Sequence, residues 1–87
     1  MMYEPDFINL LIKYDLITIY HTDIEIQQEL YKCNSDDAFR NFSEYFVMKH
    51  NVEVSQKVGL NIFLDACYSI ANKNKTLWEV PLIIGVN

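Results

Sequence analysis

Glycine and proline are scarce in this chain, and their scarcity constrains the fold more than any other sequence feature. The 87 residues include only two glycines and two prolines. A β-sandwich needs a tight turn about every 8–12 residues, and such turns draw heavily on both residue types. The sequence therefore favours long, regular helices over an all-β architecture.

Four segments carry apolar residues at the spacing of a helix face, which predicts four helices. Hydrophobic residues make up 51% of the chain, enough to bury a core, so we do not expect a disordered protein. The last of the four segments is the most apolar and is expected to be central. The predicted helices cover residues 5–14, 23–33, 36–49 and 56–72.

Polar residues mark the expected ends of these helices. A serine or threonine before a helix can accept a hydrogen bond from a free backbone N–H group, and a glutamate three residues later completes a capping box. A polar run at residues 72–75 predicts the end of the last long helix, and Pro81 is expected to limit any helix beyond it to about one turn. The predicted caps are Thr22 with Glu25, then Ser35, then Ser55, and a second capping-box pattern, Thr76 with Glu79, follows near the end of the sequence.

Two short apolar segments are compatible with either a strand or a helix. These are LITIY, from Leu16 to Tyr20, and LIIGV, from Leu82 to Val86. Both are rich in β-branched residues, and they would pair with each other if both were strands. We therefore expect a mainly α, four-helix single domain over residues 1–87, with a two-stranded element as an open alternative.

The stretch SDDAFRNFSEYF combines acidic residues with aromatic rings, and helical geometry separates the two kinds. The rings fall on one arc of the helix, where a packed helix needs an apolar stripe, and the acidic residues fall on the opposite arc. The sequence predicts a core-facing stripe of Phe39, Phe42, Tyr45 and Phe46 and an outer face carrying Asp36, Asp37 and Glu44.

Negative charge is concentrated in the first half of the sequence. The net charge is -5, and residues 1–44 hold nine acidic residues against Lys13, Lys32 and Arg40. An acidic surface repels nucleic-acid phosphates and anionic lipids and attracts basic proteins. No segment has the basic start of a signal peptide or the roughly 18 apolar residues of a membrane span, so we expect a cytoplasmic protein.

The residues able to perform chemistry form no recognisable motif. The two glycines lie far apart, which argues against a phosphate-binding loop, and the histidines and cysteines lack metal-ligand spacing. Cys67 lies on the most apolar predicted face and is expected to be a core residue rather than a nucleophile. We therefore expect no catalytic residues, no metal and no cofactor.

These observations predict a small acidic, non-enzymatic protein that docks on a basic partner protein and inhibits or regulates it. The partner would be a nuclease, a toxin or a nucleic-acid-handling complex, whose phosphate-binding surface the carboxylates would occupy. In size and charge the chain is similar to bacterial immunity proteins and phage-encoded inhibitors. The residues predicted to bind the partner are Glu25, Glu29, Tyr31, Asp36, Asp37 and Glu44.

Other functions rank lower. A homodimeric structural or assembly protein is the main alternative, because Val47 interrupts a polar arc and would be exposed in a monomer. A helix-turn-helix over residues 23–49 would lead into DNA with Asp36 and Asp37, offset only by Arg40, which is electrostatically unfavourable. A small hydrolase would need one of the motifs that the sequence lacks.

Overall fold

The computed structural model describes the backbone of residues 2–86 and the side chains of residues 2–73. Over these residues the chain forms six α-helices and no strand, so the predicted mainly α class is confirmed. The helices are α1 (Glu4–Lys13), α2 (Ile17–Thr22), α3 (Ile24–Tyr31), α4 (Asp36–Lys49), α5 (Asn51–Lys57) and α6 (Leu60–Val86).

The structure differs from the predicted four helices and from the two-stranded alternative. Most of the segment from Leu16 to Tyr20 lies in α2, and the segment from Leu82 to Val86 belongs to α6. Leu16 and Ile19, three residues apart, are 2% and 4% exposed. That spacing places both on one face of a helix, so packing against the core overrides the β propensity of this segment.

Of the three predicted caps whose side chains the structure describes, one is confirmed, because the Ser35 side-chain oxygen accepts a hydrogen bond from the Ala38 backbone N–H at 3.1 Å. The capping pattern of Thr76 with Glu79 lies outside the side chains that the structure describes. Ser55 does not cap a helix. It lies inside α5, where its hydroxyl donates to the Val52 carbonyl at 3.2 Å. A serine capping pattern can therefore occur within a helix, where the hydroxyl bonds back to the preceding turn.

The cap of α3 is Asp23 rather than Thr22. The Asp23 carboxylate accepts a hydrogen bond from the Ile26 backbone N–H at 3.2 Å. Thr22 is the last residue of α2, and its hydroxyl donates to the Thr18 carbonyl at 2.8 Å. Helix α3 therefore begins one residue later than the threonine pattern predicts.

The helix predicted over residues 56–72 is interrupted near its start, and it continues beyond residue 72, where the sequence predicted its end. Gly59 separates α5 from α6 with a backbone φ of 101°, in the left-handed region that glycine adopts most readily. From Leu60 the helical backbone continues through the polar run at 72–75 to Val86. Asparagine and lysine weaken a helix only slightly, so a polar run alone does not end one.

Aromatic rings from α1, α4 and α6 form the centre of the core. Phe7 is fully buried and meets four other rings edge-on, with centroid distances of 5.1–6.1 Å. Edge-to-face contacts of this kind add to the stabilisation that burial itself provides. The predicted stripe is largely buried, through Phe39, Phe42 and Phe46. Its fourth member, Tyr45, is half-buried.

Helix α4 lies between α3 and α6. The beginning of α3 meets the end of α4, where Lys49 Nζ lies 2.9 Å from an Asp23 carboxylate oxygen. The end of α3 meets the beginning of α4, where the Cys33 thiol lies 3.7 Å from the Ala38 carbonyl. The two helices are thus antiparallel, and the acidic residues predicted to bind a partner are distributed along this hairpin.

Candidate functional site

The six residues predicted to bind a partner lie on α3 and α4, but their contacts take them to different neighbouring elements. Glu25 contacts the end of α4, Asp36 contacts Tyr3 just before α1, and Glu44 contacts α6. Glu29 and Asp37 instead form ion pairs with Lys32 and Arg40, each three residues further along the chain. The predicted acidic face is therefore a series of separate local arrangements.

Glu25 ties α3 to α4. Its carboxylate lies 2.6 Å from Lys49 Nζ and also accepts a hydrogen bond from the Tyr45 hydroxyl. The Lys49 and Tyr45 hydrogen bonds lower the pKa of Glu25. A partner that bound this carboxylate would have to compete with two contacts inside the protein.

Asp36 is held in a similar way by a buried tyrosine. The Tyr3 hydroxyl donates to an Asp36 carboxylate oxygen at 2.5 Å, and the Tyr3 side chain is 1% exposed. Burial, together with the hydrogen bond to Asp36, raises the pKa of Tyr3 to about 12. Asp36 therefore fixes the N-terminal segment to the first turn of α4.

Tyrosine-to-carboxylate hydrogen bonds are a recurring feature of this fold. The partners are 16 to 33 residues apart, so no local sequence pattern could have identified them. Each hydroxyl joins two different elements. Burial, followed by the hydrogen bond, raises the pKa of Tyr3 and Tyr20, whereas the hydrogen bond is the larger cause of the raised pKa of Tyr45 and Tyr68. The four pairs are Tyr3–Asp36, Tyr20–Glu4, Tyr45–Glu25 and Tyr68–Glu44.

Folding brings lysines from the second half of the sequence beside aspartates of the acidic first half. Lys49 and Lys57, from the second half, form ion pairs with Asp23 and Asp15 at 2.9 Å and 2.6 Å. The negative charge of the first half is therefore partly neutralised by these lysines, which a charge count along the sequence assigns to the second half. Among the side chains that the structure describes, the carboxylates without a lysine or arginine partner are Glu4, Asp6, Asp36, Glu44, Glu53 and Asp65.

His50 lies at the junction of α4 and α5 with a carboxylate at each ring nitrogen. Its Nε2 is 2.8 Å from Asp23 Oδ2, and its Nδ1 is 3.5 Å from Glu53 Oε1. A general base needs a ring nitrogen within reach of substrate, whereas both nitrogens here face the protein. Within residues 2–73, no group of histidine, cysteine and acidic side chains could hold a metal ion.

Burial raises the pKa of the Asp23 carboxyl, but the hydrogen bonds to Lys49 and His50 and the cap of Ile26 outweigh it. Together they lower the pKa of Asp23 to about 2. The Asp23 side chain is 12% exposed, so this arrangement is mostly enclosed by protein. We interpret the cluster as a structural junction between α3, α4 and α5.

Neither cysteine has the environment of a nucleophile. Cys33 and Cys67 are free thiols, 6% and 0% exposed. Burial raises the pKa of Cys33 to about 11 and that of Cys67 to about 12, whereas a reactive thiolate needs a lowered pKa and access to solvent. The prediction that Cys67 is a core residue is confirmed.

Val47 does not provide the exposed surface on which the dimer alternative was based. Its side chain is 7% exposed and belongs to the hydrophobic core. Its neighbours on the helix wheel are polar, but α4 is covered on two sides, by α3 and α6, so its buried arc is wider than one stripe. The sequence-based observation that favoured a homodimer is therefore wrong.

Tyr31, the one aromatic residue among the six predicted to bind a partner, is exposed and lies at a groove. Its side chain is 64% exposed, and the groove, of about 440 Å³, lies where α1, α2 and α3 meet. The sequence points to Tyr31 and Tyr20 as candidate aromatic anchors, but it does not predict the groove, because the lining residues come from three helices. The lining residues are Glu4, Tyr20, Gln27, Gln28, Tyr31 and Lys32.

Within the part of the chain whose structure is described, no helix is both long enough and apolar enough to cross a membrane. When the chain was compared with protein-family models, with curated proteins and with solved structures, nothing matched. The function must therefore be argued from the geometry of the residues themselves.

Proposed function

We propose that this protein is a small, non-enzymatic binding protein that docks on a basic partner protein and inhibits or regulates it. The observation that carries the proposal is that Glu4, Asp36 and Glu44 are held by tyrosine hydroxyls rather than by cations. A hydroxyl fixes the position of a carboxylate but leaves its charge uncancelled. The fold thus orients carboxylates while keeping the negative field that corresponds to a net charge of -5.

The inhibitory mechanism would be occlusion of a phosphate-binding surface. Nucleases, nucleic-acid-handling complexes and many toxins present lysine and arginine where a phosphate binds, and carboxylates can occupy those positions. Long-range attraction would speed the encounter, and a few aromatic anchors would provide most of the binding energy. Tyr31 is the best-placed anchor, because its ring is exposed and carries a polar tip.

The structure changes which acidic residues we assign to docking. Glu25 is engaged by Lys49 and Tyr45, so we assign it a structural role. Asp37 has a 92% exposed side chain, and its pair with Arg40 lies within one turn of α4, where such pairs are weak. Asp37 and Glu44 are therefore the α4 carboxylates most available to a partner.

The test begins with affinity capture of the partner from the native host and identification by mass spectrometry. Association rates are then measured for wild type and for the double variant Asp37→Asn with Glu44→Gln. Glutamine retains a carbonyl that can accept the Tyr68 hydroxyl, so the charge changes while the fold is preserved. We expect association to slow several-fold at low salt, with the difference disappearing at high salt.

A matched control removes two charges elsewhere, through Asp15→Asn with Glu53→Gln. Both residues are exposed, and they lie in or contact α5 rather than the outer face of α4. We expect this variant to associate at close to the wild-type rate. Association of the Asp37/Glu44 variant at the wild-type rate, without any dependence on salt, would contradict the proposal.

A further inference from the structure

The groove at α1, α2 and α3 contains a fixed carboxylate beside aromatic rings. The Tyr20 hydroxyl donates to Glu4 Oε2 at 2.8 Å, which positions the carboxylate at the groove. Tyr20 is itself anchored, because Gln27 Nε2 donates to the Tyr20 carbonyl at 2.7 Å. The groove therefore offers a carboxylate whose position is set before any ligand arrives.

Glu4 supplies an unpaired negative charge to this groove. Glu4 has no lysine or arginine partner among the described side chains. The one cation that lines the groove, Lys32, is paired with Glu29 at 3.1 Å, and its side chain is 72% exposed. Lys32 thus neutralises the neighbouring glutamate and leaves the Glu4 charge uncompensated.

A carboxylate combined with tyrosine rings is suited to a cationic side chain. Cations are attracted to the faces of aromatic rings within about 6 Å of the centroid, and arginine is found in such contacts more often than lysine. The planar guanidinium can stack on a ring while its N–H groups donate to a carboxylate. Gln28, which is exposed and lines the groove, adds amide groups for a peptide backbone.

We infer that this groove receives an arginine side chain of the partner protein, with its guanidinium against Tyr31 or Tyr20 and paired with Glu4. The inference rests on the proposed function and deepens it, because it locates one point of contact and names the partner residue. Charge complementarity selects a cationic side chain, since an anionic or purely apolar one would desolvate the Glu4 carboxylate without compensating its charge, and the tyrosine rings favour arginine among cations.

The inference can be tested on the purified chain without the partner. The probe is acetyl-arginine amide, titrated while backbone amide signals are followed by NMR, and the matched probe is acetyl-citrulline amide, which has nearly the same shape without the charge. We expect saturable shifts at Gln28 and Tyr31 with the arginine probe and none with citrulline. Thermal unfolding of each variant confirms that the fold is intact.

Three variants test whether the probe binds at the groove itself rather than to any acidic surface. Glu4→Gln retains an acceptor for the Tyr20 hydroxyl and is expected to weaken binding of the arginine probe roughly fivefold. Asp65→Asn removes one charge from an exposed side chain that does not line the groove and is expected to bind the probe as wild type does. Tyr31→Leu is expected to weaken binding by removing the exposed ring.

Three results would overturn the inference: no saturable shift with acetyl-arginine amide, equal shifts with acetyl-citrulline amide, or wild-type binding by Glu4→Gln. None of these would affect the salt-dependent association with the captured partner, which tests the proposed function separately. Conversely, a partner that associates without any charge dependence would remove the proposed function, while occupation of the groove by the arginine probe would still stand.

Discussion

Asp23 shows how one carboxylate can join several helices in this protein. One oxygen caps α3 by accepting from the Ile26 N–H, and the other lies 2.8 Å from His50 Nε2. Lys49 Nζ also approaches this carboxylate, at 2.9 Å. The side chain thus links the start of α3 to the end of α4 and the junction with α5, and it does so only while ionised.

The Asp23 carboxylate should make the free energy of unfolding depend on pH. Its pKa of about 2 in the folded chain lies below the reference value of 3.8. The stabilisation is therefore fully present above about pH 4 and is lost as the pH falls through 2. The difference corresponds to about 2 kcal/mol, which urea unfolding of wild type between pH 5 and pH 2 would detect.

Asp23→Asn isolates this contribution. Asparagine still caps a helix, but it cannot ionise. The free energy of unfolding of wild type should exceed that of the variant at pH 5, and the gap should close towards pH 2. Asp15→Asn removes an ion pair whose aspartate is 81% exposed, so the difference in free energy of unfolding between wild type and this variant should be much smaller. A gap that stays constant down to pH 2 would assign the pH dependence to other carboxylates.

The partners of individual side chains are the part of this structure that the sequence predicts least. Thr22 and Asp23 are adjacent and both are good caps, and the choice between them depends on Lys49 and His50, more than 20 residues away. The tyrosine partners of Glu25, Asp36 and Glu44 are equally remote in sequence. The exposure of Glu25 and Glu44 could be predicted from the helix wheel, but the partners of all three carboxylates could not.

At the scale of secondary-structure elements, agreement between independent signals decided which helix was predicted correctly. The bounds of α4 match those expected, because the Ser35 cap, the acidic first turn and the apolar stripe all indicate the same segment. The boundary between α5 and α6 was missed. A single glycine can lie within a helix or end one, and its role at position 59 depends on a backbone angle that composition does not reveal.

Gly59→Ala tests whether the left-handed turn between α5 and α6 matters. A Cβ at this position would meet Ile62 Cδ1 at 3.8 Å, which is an ordinary contact, so the cost would come from the φ of 101°. We expect the free energy of unfolding to fall by about 1–2 kcal/mol, measured by chemical denaturation.

Gly59→Asn is the matched comparison, because asparagine tolerates positive φ better than alanine does. It should destabilise the protein less than Gly59→Ala, with the same helical circular dichroism in both variants. Wild-type stability of Gly59→Ala would show that the chain can connect α5 to α6 without this conformation.

At the scale of the whole molecule, the helical class followed from the scarcity of glycine and proline, but the distribution of charge did not follow from the sequence. Lys57 lies 42 residues from Asp15 and pairs with it at 2.6 Å. A charge count along the chain cannot anticipate that contact, since it depends on how α5 packs near the turn between α1 and α2. Three of the described carboxylates that have no lysine or arginine partner, Glu4, Asp36 and Glu44, are bonded to tyrosine hydroxyls instead.

The two buried thiols report on how the whole molecule opens. Cys67 is fully buried within α6, whereas Cys33 is 6% exposed in the segment between α3 and α4. Cys33 can therefore reach solvent through a local opening of that short connection, but Cys67 requires α6 to separate from α4. Under native conditions a thiol reagent should label Cys33 at least about tenfold faster than Cys67.

Urea distinguishes the two routes of opening. Labelling of Cys67, measured in a Cys33→Ala variant, should accelerate with urea in parallel with global unfolding, because exposing it disrupts the core around Phe63 and Phe46. Labelling of Cys33, measured in Cys67→Ala, should respond weakly, since local opening exposes little surface. Equal rates and equal urea dependence would mean that the connection between α3 and α4 is as stable as the core, and that the hairpin opens only when the whole molecule unfolds.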